Sequence, residues 1–560
     1  MRKGRPQDLR TGCGLPLSHD NGKSDKRHNM RAAPAWLVAF VYHFLCYMLI
    51  HAAEEETSVT RCNPSGSATG PNDIQVGAFR TKLSNPTALN TQFSYHYSAS
   101  LITDGLANGT DPVYVYTMPR FIVTANVPDD VVAAVQFAAD HSLKVSALGG
   151  GHQLAGIALP ECGVVILMYK LQYLALDPVT NLTTVQMGVK TGTVANALTN
   201  KYHRLPSIGA CFDVCVAGFA LHGGLALIFR YHGTAADFIQ SMDVVTVGAD
   251  KKAIRRTISA KSEPDLFWGM RGAGGSLGVA IQYTTHAFAV PDNVQTASYT
   301  FDIGSAEDLL SWYAGVVPKC PRSVYAVVTL TGGGKHAGVS LSFANLGPQT
   351  SETESCFKAL TTYAVPRALN NSQPGQAYMT QGYLDYSTMI SSGVRSNECP
   401  SNTAATYWNT YFTANGTSTT GTLPRGLIRA AVAQAQANPY DTFSISISAG
   451  PSMPQGDDAV HFTPNAWSFR DCYYVLVGDS WNVPASDAPH IDYVKSASAA
   501  LKPFVAGNYI NQLMMDDPTD TMRSYEAGIF ARLEGVKAAY DPSNLFRDLQ
   551  YMHPQVINPK

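Results

Sequence analysis

Residues 147–156 read ALGGGHQLAG, and the reading of this stretch decides the fold. Three glycines run directly into His152. Without a Cβ, such a run can turn tightly and bring backbone close to a ligand. Successive N–H groups in the loop make a concave anion site of the size of a phosphate or pyrophosphate. Upstream, Asp129–His141 (DDVVAAVQFAADH) has apolar residues at helical spacing, and Leu143–Leu148 reads as a short strand. The glycines therefore leave a strand that follows a helix, a usual place for a nucleotide cofactor in α/β folds.

Working outward, Arg120–Ala125 is a strand, and Pro128 and Asp129 open the helix. An apolar run, Gly163–Met168, follows the loop, then Thr183–Met187 as strand and Thr191–Lys201 as helix. Gly209–Thr234 gathers Cys211, Cys215 and several glycines. Ser241–Gly248 is a strand, and Arg271–Gly278 a second glycine loop before the alternating strand Val279–Phe288. That second loop is no dinucleotide fingerprint, because its third glycine comes one residue late and a strand follows where a helix is required. Beyond Pro291, alternating runs at Ala297–Phe301, Val324–Leu330, Gly338–Phe343 and Thr442–Ser448 predict a mainly antiparallel sheet, with helices over Glu307–Val316 and Pro424–Gln436. Asp492–Lys560 returns to helix.

A chain of 560 residues exceeds one small core, so two or more domains are expected. A net charge of −2 carries no electrostatic footprint for nucleic acid. No zinc spacing, G-x-S-x-G elbow or Walker loop occurs, so metal, hydrolase and NTPase chemistry lack their anchors. The first 55 residues read as a leader: basic residues, an uncharged run over Ala32–Ala53, then Glu54-Glu55-Glu56. This is a signal peptide or a membrane anchor, with Met30 an alternative start. Sequons at Asn108, Asn181, Asn370 and Asn415, and eight cysteines beyond the leader, agree with a secreted or endomembrane-lumen protein.

Four ordered phrases resemble the FAD-linked oxidases of the vanillyl-alcohol-oxidase fold, in their berberine-bridge-enzyme-like branch. They are Gly149-Gly150-Gly151-His152-Gln153 with Gly156; Cys211-Phe212-Asp213-Val214 with Gly218, Gly223 and Gly224; Pro264–Trp268 with Arg271, Gly272, Gly274, Gly275, Gly278 and Val279; and Tyr540-Asp541-Pro542 with Phe546 and Gln550. The resemblance implies an α+β fold: a two-subdomain PCMH-type FAD-binding domain at 115–292 after a lead-in at 56–114, an α+β substrate domain with an antiparallel sheet at 293–500, and a C-terminal segment, 501–560, returning to the FAD domain. It implies FAD bonded through His152 to the flavin 8α-methyl and, in bicovalent members, through Cys211 to C6. The named glycines, Gln153, Val214 and Val279 would line the cofactor. Small Val214 stands where the family keeps an oxygen-permissive gatekeeper, implying dioxygen as acceptor and hydrogen peroxide as product. The substrate would be a small secondary metabolite or a sugar.

The chain also departs from the pattern. Cys215 replaces a usual glycine and offers a rival thiol. In Tyr509-Ile510-Asn511-Gln512, Gln512 stands where relatives carry a tyrosine base. An amide accepts no proton at neutral pH. The proton acceptor is then Tyr509 or a residue of 290–500, or the chemistry needs no strong base. The alternative is a redox-inactive secreted glycoprotein that keeps the fold and binds a small molecule.

Overall fold

The computed structural model describes residues 62, 70–92, 118–153, 155, 158–226, 228–290, 294–369, 373–378, 405–481, 487–514 and 519–546. The leader, Gly156, Asn108, Asn370 and Gln550 lie outside them. Among the described residues no helix is long and apolar enough to cross a membrane.

Helix Pro128–Asp140 forms where the sequence predicts it, with Pro at its first turn. Its start is fixed by Asp130, which accepts from the backbone N–H of Asn126 (2.8 Å) and Val127 (3.1 Å) and from both N–H and hydroxyl of Ser84 (2.7 and 2.6 Å). Burial alone would raise the Asp130 pKa, but these bonds outweigh it and hold the carboxyl below its usual range. The helix buries Val131, Ala134, Val135 and Ala138 against the neighbouring strands. Beside it lies a four-stranded sheet in the order Leu89–Asn90, Phe121–Thr124, Val164–Leu167, Val145–Leu148, the last three parallel. A six-stranded antiparallel sheet follows: Leu174–Asp177, Leu182–Gln186, Val279–Ala289, Ile239–Val247 and Ala253–Ser259, with Arg204–Pro206 on the far end of Val279–Ala289.

The third sheet has eight antiparallel strands: Gln373–Tyr378, Val294–Asp302, Gly338–Asn345, Val324–Thr331, Ser444–Ala449, Tyr473–Trp481, Ala405–Phe412 and Gly507–Asn508. Alternation along its strands feeds two separate apolar clusters. On Tyr473–Trp481, Tyr473, Val475, Val477 and Trp481 pack under helices Ala306–Val316, Ser351–Ala364, Arg425–Ala437 and Asp487–Leu501. Tyr474 and Leu476 point the other way and join the cluster that fills the two smaller sheets. The α+β class and the antiparallel second sheet therefore agree with the expectation.

One expectation changes. Residues 271–273, read as loop, belong to helix Pro264–Ala273, whose backbone leaves helical geometry at Arg271 and Gly272. Pro264 at the first turn and the buried run Leu266–Met270 extend the helix into the glycines.

The C-terminal segment closes back onto the start of the fold. Val145 N–H donates to the Leu545 carbonyl (2.9 Å), Val145 bridges Phe546 in parallel, and the Lys144 ammonium donates to the Asn544 carbonyl. The fully buried Lys537 ammonium clasps this return, donating to Asp541 (2.6 Å), the Ser276 carbonyl (2.6 Å) and the Phe546 carbonyl (2.8 Å). A buried ammonium is tolerated because every donor is matched and an anion faces it.

Candidate active site

Gly149–Gly151 leave strand Val145–Leu148 and lie against the 211–217 segment. A Cβ on Gly149 would stand 3.0 Å from the Cys215 Cβ; one on Gly150 would stand 3.0 Å from the Cys215 N and 3.2 Å from the Asp213 O. Gly151 takes φ +74°, which favours glycine. The loop is glycine because two backbones touch there. It delivers His152 beside Asp213. Burial foremost holds this imidazole below its usual pKa, against the raising pull of Asp213 and with help from Lys190. The Nε2 atom is buried and has no hydrogen-bond partner. A neutral ring with a buried, unbonded nitrogen has room for a further bond. Gln153 lies half-buried next to it.

Cys211 is disulfide-bonded. A sulfur held in a disulfide has no thiolate to offer to the second flavin linkage expected there. Cys215, the rival, is free and buried, its thiol against the Gly188 carbonyl (3.3 Å). Burial first, and Asp213 next, push it up to about 11 against the opposing Lys190, so at neutral pH it stays an unreactive thiol. Val214 is half-buried and its carbonyl accepts from Thr191 N–H (2.8 Å). Gly218, in the short helix Val216–Leu221, is exposed, and a Cβ there would meet no atom within 4 Å.

The other predicted glycines pack against protein. A Cβ on Gly223 (φ +96°) would fall 2.3 Å from the Trp467 ring, and one on Gly224 (φ +76°) 2.7 Å from Ala235. On Gly272 it would meet Ala466 at 2.8 Å, on Gly274 (φ +44°) the His222 ring at 2.7 Å, and on Gly278 the Val245 carbonyl at 2.8 Å. Gly275 sits in the turn Gly274–Ser276, and Val279 is buried in its pairing with Val245.

The turn Ile510–Gln512 joins this region to the large sheet. The Tyr509 phenol oxygen accepts from Leu225 N–H (3.1 Å) and Asn511 Nδ2 (3.0 Å), while Asn511 Nδ2 also donates to the Phe219 carbonyl (3.3 Å). Tyr509 thus braces the 219–225 run. On the opposite side, Gln512 Oε1 accepts from Tyr474 Oη (2.8 Å) and Thr410 Oγ1 (3.0 Å).

Sequence reasoning missed Tyr474, Thr410 and the sheet face they belong to. By register, Thr300, Ser340, Thr329, Ser446, Leu476 and Thr410 form one row across the strands, ending at Gln512. A second row runs Ser298, Ser342, Val327, Ser448, Tyr474. Hydroxyls couple along them, Ser298 to Ser342 at 2.8 Å and Thr329 to Ser446 at 3.0 Å, and buried Ser448 Oγ has no partner. Trp408 lies across Gly478, where a Cβ would stand 2.2 Å from its ring. The available signal was SISIS at 444–448: alternate isoleucines enter the helix-side cluster, so the serines face the other way.

Of the described sequons, Asn181 sits half-buried at φ +56°. Asn415 is exposed, but its Nδ2 already donates to the Ser468 carbonyl (3.1 Å) and Glu526 (2.8 Å).

Comparison with known proteins agrees with this geometry. The FAD binding domain family matches residues 119–254, and the family "Berberine and berberine like" matches 508–550. A xylooligosaccharide oxidase of Thermothelomyces thermophilus is 35% identical over 178 residues, which is 31% of this chain and only 35% of its own length. A chitooligosaccharide oxidase of Gibberella zeae is 25% identical over 469 residues, 79% of this chain and 88% of that one. The solved 6-hydroxy-D-nicotine oxidase of Arthrobacter nicotinovorans, 21% identical, superposes with a TM-score of 0.65 over 81% of this chain and 96% of its own. The chain thus carries a segment matching the FAD binding domain and a C-terminal segment matching the berberine-like family, and it shares its fold with the solved 6-hydroxy-D-nicotine oxidase.

Proposed function

We propose that the protein is an FAD-dependent oxidase of a small polyhydroxylated substrate, an oligosaccharide in first place, with dioxygen as electron acceptor. The observation that carries this reading is the pair of hydroxyl rows converging on Tyr474 and Gln512, flanked by Trp408. Ser and Thr hydroxyls donate and accept, as a substrate dense in hydroxyls requires, and an indole face suits the apolar side of a sugar ring. The oligosaccharide oxidases among the relatives support it.

The residues present fit a flavin. Gly149, Gly150 and Gly151 offer backbone N–H groups, Gly218 presents no side chain, and His152 holds a buried ring nitrogen without a partner. We assign FAD to these residues with Gln153 and Val214, attached through His152 and not through Cys211. The bound flavin supplies a two-electron acceptor for hydride. The chain orients the substrate carbon by hydroxyl contacts and leaves small Val214 as the gate for dioxygen. On this reading residues 115–292 bind FAD, 293–500 bind substrate and 501–560 close the two together. The disulfides Cys62–Cys162 and Cys320–Cys356, with disulfide-bonded Cys211, support an oxidising, secretory compartment.

Anaerobic mixing of yellow holoprotein with reducing oligosaccharides tests the reading. Loss of visible flavin absorbance, reversed by air with hydrogen peroxide formed, is expected. The second reading, a binding glycoprotein, is favoured by Gln512. It predicts a flavin that dithionite bleaches and no sugar does.

A further inference from the structure

The position expected to hold a base holds an amide, and the structure fixes which end of that amide is offered. Gln512 Oε1 is saturated by two hydroxyl donors, Tyr474 and Thr410. Gln512 itself is half-buried, and among the described residues its Nε2 makes no hydrogen bond. Both donors are buried, Thr410 completely, on strands whose register is set by neighbours on either side. The backbone beneath is also fixed, through Gln512 N–H to the Tyr509 carbonyl (3.0 Å) and the Tyr509 and Asn511 bonds to 219–225. The carboxamide is thus held with its two N–H bonds directed away from the sheet.

We infer that Gln512 is a substrate-contacting residue which donates from Nε2 to the reacting oxygen of the substrate, and that Tyr474 and Thr410 are positioning residues that hold the amide in this orientation. The inference rests on the oxidase reading and deepens it. A donor at this place stabilises an oxygen that is, or becomes, an anion, where a base would have removed its proton. FAD held by Gly149–Gly151 and His152 would supply the acceptor for a hydride from the substrate carbon, while the substrate hydroxyl proton would pass to solvent hydroxide, forming water. A carbonyl would be left, and dioxygen would take the two electrons with two protons as hydrogen peroxide. Such a site selects hydroxyls that ionise readily, as the anomeric hydroxyl of a reducing sugar does, over ordinary secondary alcohols.

The test titrates folded holoprotein with gluconate, a sugar-acid anion, and follows the flavin spectrum. A hydrogen bond to a charged group controls roughly 10–100-fold in affinity. Gln512→Leu is expected to weaken gluconate by that factor, and Gln512→Glu to abolish binding. Tyr474→Phe and Thr410→Val should each weaken it about threefold, as losses of one neutral hydrogen bond, with Thr410→Ser restoring it. Variants are compared only at wild-type flavin content and melting temperature. If Gln512→Leu does not fold, the two positioning variants decide: unchanged binding in both overturns the inference. Gluconate binding in Gln512→Leu within twofold of wild type, or none in wild type, also overturns it. Binding that depends on Gln512, with no sugar bleaching the flavin, upholds the donor and overturns the oxidase reading instead.

Discussion

The two glycine runs, 149–151 and 272–278, look alike as text and do different work. The first lets a loop lie against the 211–217 backbone and places one imidazole with an unbonded nitrogen. The second, with Gly223 and Gly224, lets helix Pro264–Ala273 and its neighbours meet the 466–467 backbone, the His222 ring and the Val245 carbonyl. Each absent side chain in the second set is a protein contact. Of Gly149, Gly150, Gly218, Gly223, Gly224, Gly272, Gly274 and Gly278, only Gly218 faces open space. A glycine whose Cβ volume is already protein therefore points to a ligand only through its backbone, whereas one facing open space, as Gly218 does, leaves room for the ligand itself.

The largest effect that could break this contrast is Gly223→Ala. The new methyl would overlap Trp467 at a left-handed backbone position, so a loss of about 3 kcal/mol is expected. Denaturant midpoints should fall equally with and without added FAD; a fall that FAD modulates would move Gly223 into the cofactor set. Next, His152→Ala should fold but release its flavin on acid precipitation, seen as a colourless pellet. Cys211→Ser should leave the mass of the flavin-bearing peptide unchanged, and a lost C6 adduct there would establish the second linkage.

Gly218→Ala sharpens the comparison from the other side. With no clash and a better helix former, apoprotein stability should hold or rise by about 0.5 kcal/mol. FAD loading should fall, on the order of tenfold, if the cofactor uses that space as an overpacked contact would imply. Equal loading in the two proteins would place the flavin elsewhere.

The smallest effect concerns the strand that follows the second run. His286 stacks on His461 (3.8 Å between centroids) and is pushed down to about 4 by burial first, then by His461, Arg204 and His232, against Asp458. An unfolded histidine titrates near ~6.5, so the unfolded state takes the proton first on acidification. This contribution is whole above that value and is lost as pH falls through about 4. His286→Gln should shrink the drop in melting temperature between neutral and mildly acid buffer, and an unchanged drop would assign acid sensitivity elsewhere.

Much of the architecture was legible because it is written locally. The helix at 128–140, the strands flanking it and the antiparallel runs after 294 follow from period and caps. Strand Tyr473–Trp481 was missed because both of its faces are apolar and alternation leaves no mark. Helix Ser351–Ala364 lacked a continuous apolar stripe, burying only Thr353, Cys356, Leu360 and Ala364. At the site, His152 was readable from its glycines. The disulfide state of Cys211 was not, since pairing depends on a distance the sequence does not contain. Tyr474 and Thr410 become visible only when strands distant in sequence are laid side by side.

The return of residues 541–546 to strand Val145–Leu148 orders events in time as well as space. The strand that launches the glycine loop is edged by backbone the ribosome makes some four hundred residues later. Until that stretch has left the exit tunnel, Val145 has no partner on that side and Lys537 no carboxylate. The strand that launches the glycine loop can therefore settle only after translation has passed the clasp, so on the oxidase reading a nascent chain stalled short of Phe546 should emerge colourless, however much of its first half is already folded.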